Sequence, residues 1–106
     1  IGCYPGRIKG EVALLFKPDE GVDVNDKILC TVRTDPGWAP LFPSIKGLLV
    51  EKGSTLSHSA VIARELKIPT IVGVPNITKM IKNGQEIEMD CEQGIIVTDQ
   101  DDTIRE

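Results

Sequence analysis

The chain holds one histidine, His58, set among the hydroxyl side chains of Ser54, Thr55, Ser57 and Ser59. The residues after it pair Ile62 with Leu66 at i,i+4 and Ala60 with Ala63 at i,i+3, which predicts a helix from His58 to Leu66. Ser57 is its natural N-cap. A histidine so placed sits at, or one residue inside, a helix N-terminus, where unpaired N–H groups and about half a positive charge favour anions. The same positive end disfavours imidazolium and leaves one ring nitrogen available as a nucleophile. Phosphoryl transfer to nitrogen needs these parts. His58 would attack the terminal phosphate of a donor, and the helix end with the hydroxyls of Thr55, Ser57 and Ser59 would stabilise the anionic adduct. Arg64 lies six positions on, about 240° around the helix, and is not placed beside the ring.

Other readings compete. A lone histidine beside serines is equally well a capping or partly buried structural residue, and composition and spacing leave both open. Gly53-Ser54-Thr55 fits neither a Walker A loop nor a dinucleotide fingerprint. A Ser-His-Asp hydrolase is disfavoured because Ser57 is the histidine's immediate neighbour and no Gly-x-Ser-x-Gly elbow occurs. A zinc site would have to combine His58 with Cys3, Cys30 and Cys91, which are widely spaced and form no Cys-x-x-Cys pair. No metal site is expected, and the thiols read as reduced cysteines of a cytoplasmic protein.

The 106 residues suit one domain, 1–106, with 41% hydrophobic and 26% charged residues, a globular composition. No apolar run approaches the ~20 residues that cross a bilayer, and no basic segment leads into a secretory signal. The chain opens on Ile1 rather than Met, so it is expected to be a piece of a larger multidomain polypeptide. A net charge of −4 with four aromatic residues argues against nucleic-acid binding. Charge is uneven: residues 45–82, around His58, carry six basic against two acidic side chains, whereas residues 83–106 carry one against eight.

The elements that must position His58 are strands. Ile8–Phe16 reads as the first, stopped by Pro18, and Lys27–Arg33 as the second. Asp35 and Pro36 suit a helix start, but Gly37 and Pro40 predict no more than a turn. Gly47–Glu51 reads as a buried strand before the small-residue loop, and Thr70–Val74 as another after the helix. Asn76 is expected to cap a short helix to Lys82. Glu86–Asp90 and Gly94–Thr98 form a predicted hairpin, and the acidic tail 99–106 looks frayed. Trp38 and Phe42 read chiefly as packing, against the loop before His58, with docking to a partner as the lesser reading. The result is an α/β domain with a mixed sheet and a few short helices.

The stretch from Gly47 to Val74, with its Ser-His58-x-Ala-x-x-Ala-Arg-Glu-Leu core followed by Ile-Pro and Val-Gly, resembles the mobile phosphohistidine domain of the PEP-utilising enzymes. The resemblance continues through Asn76-Ile-Thr78 and Asn83-Gly84-Gln85 to Gly94-Ile-Ile-Val97. Upstream, Thr34-Asp35-Pro36-Gly37-Trp38-Ala39-Pro40-Leu41-Phe42 is similar to the phosphoenolpyruvate synthase and rifampicin phosphotransferase branch. It implies a swivelling β/β/α domain, part of a larger phosphotransferase. His58 would accept a phosphoryl group at an ATP-grasp nucleotide domain and swing to deliver it to pyruvate or another acceptor at a PEP/pyruvate-type domain. ATP and Mg²⁺ would act at those partner domains, with no cofactor held by this one, which alone would turn nothing over. Ser54 stands where many members have Gly, and Leu56 where many have Thr. The second departure argues against the dikinase subgroup that uses that threonine for regulation. If the loop has decayed, the alternative is a non-catalytic docking module that keeps the fold.

Overall fold

A computed structural model describes residues 2–4, 6–17, 23–34, 36–53, 57–99 and 103–105. Its strands are β1 (Gly2–Tyr4), β2 (Arg7–Leu14), β3 (Ile28–Thr31), β4 (Gly47–Val50), β5 (Thr70–Val72), β6 (Glu86–Asp90), β7 (Ile95–Thr98) and β8 (Thr103–Arg105). The helices are a 3₁₀ segment, Pro36–Ser44, then α1 (His58–Leu66) and α2 (Ile77–Met80). The described strands form one mixed eight-stranded sheet in the order β1-β5-β4-β3-β2-β6-β7-β8.

Strand β2 joins two different halves. Its later residues, Val12–Leu14, run parallel to β3, and β3–β4–β5 continue in parallel. Its earlier residues, Arg7–Glu11, pair antiparallel with β6, which leads on through β7 to β8. Parallel strands need both faces covered, and the side-chain alternation does this with period two. Val12, Ile28, Cys30, Leu49 and Ile71 enter one core with Ile87, Met89 and Ile96 of the antiparallel half. Ala13, Leu29, Leu48, Val50 and Val72 enter a second core against Trp38, Phe42 and Ala63 of the helical layer. The outcome is an α/β domain in which the antiparallel half of the sheet packs on one face of the parallel half, and the 3₁₀ segment and the Ala63 helix pack on the other.

Helix α1 and strand β6 have the bounds expected from sequence, and the β6–β7 hairpin turns where expected, with the Asp90 carboxylate accepting from the N–H groups of Glu92 and Gln93. Strand β5 stops two residues early because Gly73 takes a φ of +74°. Four expectations need correction. The 3₁₀ segment runs nine residues rather than one turn. Pro40 and Pro43 forbid a regular α ladder, but successive 3₁₀ turns tolerate their missing N–H groups. The tail is not wholly frayed: Thr103–Arg105 pairs with β7 and buries Ile104. Gly2–Tyr4 adds an edge strand beside β5, too short to leave a periodic signal. Helix α2 ends at Met80, and Asn76 precedes it in the left-handed region without a side-chain capping bond. The expected stop at Pro18 and cap at Asp35 lie outside the described residues.

Candidate functional site

The parallel strands β3, β4 and β5 end together, and ligands of open α/β sheets bind at such carboxyl ends. The segment after β3 carries Thr34, the loop after β4 leads to His58, and Gly73 follows β5. Gly73 is required by a close approach as well as by its positive φ. A Cβ there would lie 3.2 Å from the Gly53 carbonyl oxygen. Gly53 itself (φ +146°) lies against Ser57, so both glycines hold the base of the histidine loop close to β5.

His58 is the first residue of α1 and is half-buried. Its Nδ1 is 3.1 Å from Thr34 Oγ1, and that hydroxyl is 2.5 Å from Ser59 Oγ. Thr34 and Ser59 are buried, so the pair forms a fixed polar support behind the ring. Phe42 supports it from the helical layer, with ring centroids 6.2 Å apart and planes tilted by 36°. Among the described residues Nε2 makes no hydrogen bond. One ring nitrogen is therefore anchored inside, and the other is left without a partner among the described residues.

The residues singled out from sequence separate here. Ser57 occupies the N-cap position with extended backbone, but its side chain makes no capping bond. Ser59 lies beneath the site, joined to His58 through Thr34. Thr55, with Ser54 and Leu56, lies outside the described residues. Arg64 is exposed in the last turn of α1. Trp38 and Phe42 are core residues, 3% and 0% exposed, as packing required.

Two residues were not picked out as site residues. Thr34 is 24 positions from His58, and no local spacing links them. Glu51, just after β4, accepts hydrogen bonds from the Thr78 hydroxyl at 2.7 Å and the Thr78 backbone N–H at 3.2 Å. The hydroxyl bond is the main cause holding the Glu51 carboxyl below the usual carboxylate range; partial burial opposes it, while the Thr78 N–H, Lys52 and Lys79 assist. Cys30 and Cys91 are buried, and burial, helped by the Glu51 charge, pushes the Cys30 thiol up to about 12. No group of three or more His, Cys, Asp or Glu among the described residues could hold a metal ion. No helix among them is long and apolar enough to cross a membrane.

The profile of "PEP-utilising enzyme, mobile domain" matches residues 23–94, more than half of the chain. Rifampicin phosphotransferase of Bacillus cereus is 45% identical over 91 residues, which are 86% of this chain and 10% of that protein. Phosphoenolpyruvate synthase of Neisseria meningitidis is 39% identical over 88 residues, 81% of this chain and 11% of that protein. The chain thus spans about a tenth of the length of these curated relatives. Among solved structures, an Enzyme I protein determined by NMR superposes with a TM-score of 0.61 at 26% identity, covering 71% of this chain and 31% of that one. Thermococcus kodakaraensis aconitase X superposes at 0.71 over 92% and 93% of the two chains, but at 19% identity it shares the fold alone.

Proposed function

We propose that this chain, which belongs to the mobile-domain family of PEP-utilising enzymes, is a phosphoryl carrier whose nucleophile is Nε2 of His58. The observation that carries the reading is the unequal treatment of the ring nitrogens: Nδ1 is tied to Thr34, and Nε2 has no hydrogen bond among the described residues. In the reactive tautomer Nδ1–H donates to Thr34 Oγ1, and the Thr34 hydroxyl donates to Ser59 Oγ. The Nε2 lone pair then attacks the terminal phosphorus of the donor. An N–P bond forms, the donor's bridging P–O bond breaks, and its electron pair leaves on the departing oxygen. The first N–H groups of α1, the Ser57 hydroxyl and Thr55 meet the phosphoryl charge.

The nucleotide, with Mg²⁺, belongs to a separate ATP-grasp domain, and a PEP/pyruvate-type domain receives the phosphoryl group for pyruvate or another acceptor. Rifampicin phosphotransferase and phosphoenolpyruvate synthase, the relatives above, illustrate two acceptor classes. The carrier alone catalyses no turnover, and the reaction is assigned to the cytoplasm.

Intact-mass analysis with ³¹P NMR tests this, after mixing the chain with ATP, Mg²⁺ and a nucleotide-binding domain shown to phosphorylate a mobile domain. The expected result is one acid-labile phosphoryl group, on Nε2, absent from a folded His58→Ala variant. A variant that still gains phosphate would overturn the assignment of His58. No gain by the wild type, with the donor active on its own mobile domain, would leave a docking module that keeps the fold.

A further inference from the structure

Seven residues before the histidine, the chain leaves β4 through Glu51, Lys52 and Gly53, and this stem is held from three sides. On the first, the N–H groups of Glu51 and Lys52 donate to the carbonyls of Thr31 and Val32 at 3.0 and 2.8 Å. That pairing continues the β3–β4 ladder beyond its regular end, toward Thr34. On the second, the Gly53 carbonyl meets Gly73 after β5. On the third, the Glu51 carboxylate reaches α2 and accepts both hydrogen bonds of Thr78, side chain and backbone, on one oxygen.

We infer that Glu51 is a positioning residue for His58: its clamp on Thr78 fixes the stem so that Thr34 and Nδ1 stay in register and Nε2 remains the reacting nitrogen. The inference rests on the carrier reading for its purpose, though not for its measurement. Thr34 lies where the stem pairing leads from β3, and His58 follows the stem in the chain, so the register of the two draws on where residues 51–53 are held. Without the carboxylate, the Thr78 hydroxyl and N–H lose their acceptor, and among the described residues the stem is left to its backbone attachments. The chain's sole histidine makes the consequence readable at one ring.

The test uses the full 106-residue chain as wild type, Glu51→Ala, Glu51→Gln and Thr78→Val. The ¹⁵N spectrum of the histidine ring reports the tautomer without any donor. Phosphoramidate then supplies a small phosphoryl donor: its P–N bond breaks and ammonia leaves as the new N–P bond forms. Wild type and Glu51→Gln, which keeps an acceptor oxygen, are expected to hold the Nδ1–H tautomer and give the Nε2 product. Glu51→Ala is expected to mix the tautomers and slow phosphoryl gain at Nε2 roughly tenfold, the scale on which small misplacements act. Thr78→Val, which keeps only the N–H, should fall between. A wild-type ring spectrum and rate in Glu51→Ala would overturn the proposal and reduce the clamp to a stabilising contact. If Glu51→Ala loses its dispersed amide spectrum, Thr78→Val decides by the same two readings. Failure of the carrier reading shows separately, as a wild-type chain inert to the donor domain whose ring tautomer still follows Glu51.

Discussion

At His58 the support behind the ring is a pair of buried hydroxyls, and burial makes their pairing costly to break. Thr34 Oγ1 bridges Nδ1 and Ser59 Oγ, so a Thr34→Val substitution removes the partner of both at nearly constant volume. A buried polar group left unsatisfied costs about 1–3 kcal/mol. Thr34→Val is therefore expected to lose stability on that scale in urea unfolding, whereas Thr34→Ser keeps the hydroxyl and most of the stability. Equal losses for Val and Ser would show that the hydroxyl bridge contributes nothing. The histidine and its hydroxyl neighbours could be found in the sequence because the helix period and the N-cap serine mark where α1 begins. Thr34 could not, since its contact depends on the chain returning through β4.

Between β4 and α2 the Glu51 contact also sets a pH dependence. The Thr78 hydroxyl bond lowers the Glu51 carboxyl, so the folded state binds this proton less readily than the unfolded chain does. Its contribution is fully present above the ordinary carboxylate value and is lost as pH falls through the lowered folded value. Glu51→Gln should flatten this part of the acid limb of a stability–pH curve while leaving the neutral plateau nearly level. An acid limb identical to wild type would show that the carboxylate does not couple to folding. The strands themselves were largely legible, because β-branched and apolar runs bounded by Gly and Pro fix β2 to β7 to within a few residues. The 3₁₀ segment was underestimated because the residues that break an α-helix do not break tighter turns. Strands β1 and β8 were missed because three residues carry no period, and the acidic surroundings of Ile104 conceal one buried contact.

On the proposed reading, the domain would have to move between sites as one body, or the geometry at its histidine would change in transit. The architecture supplies a reason for such unity. Strands β2 to β5 each send alternate side chains into the two cores, so neither core can open without disrupting strands that also build the other. Leu48 belongs to the helical side and Ile87 to the antiparallel side, and both are essentially fully buried. Truncating either to alanine should cost about 2–5 kcal/mol. For a domain of ordinary marginal stability, that is a large share of the total. Shared strands predict that Leu48→Ala and Ile87→Ala each lower the midpoint of the same single thermal transition, whether it is followed by near-UV signals from Trp38 or by far-UV signals from the sheet. If Ile87→Ala split the transition, with the Trp38 signal unmoved, the antiparallel half would be a separately melting layer. Phe42 and Ala63 of the helical core would then hold His58 in place without help from the far side of the sheet. Coincident transitions instead mean that the ring's support draws on both cores, so that Nδ1 is held by the whole domain rather than by the helical layer alone.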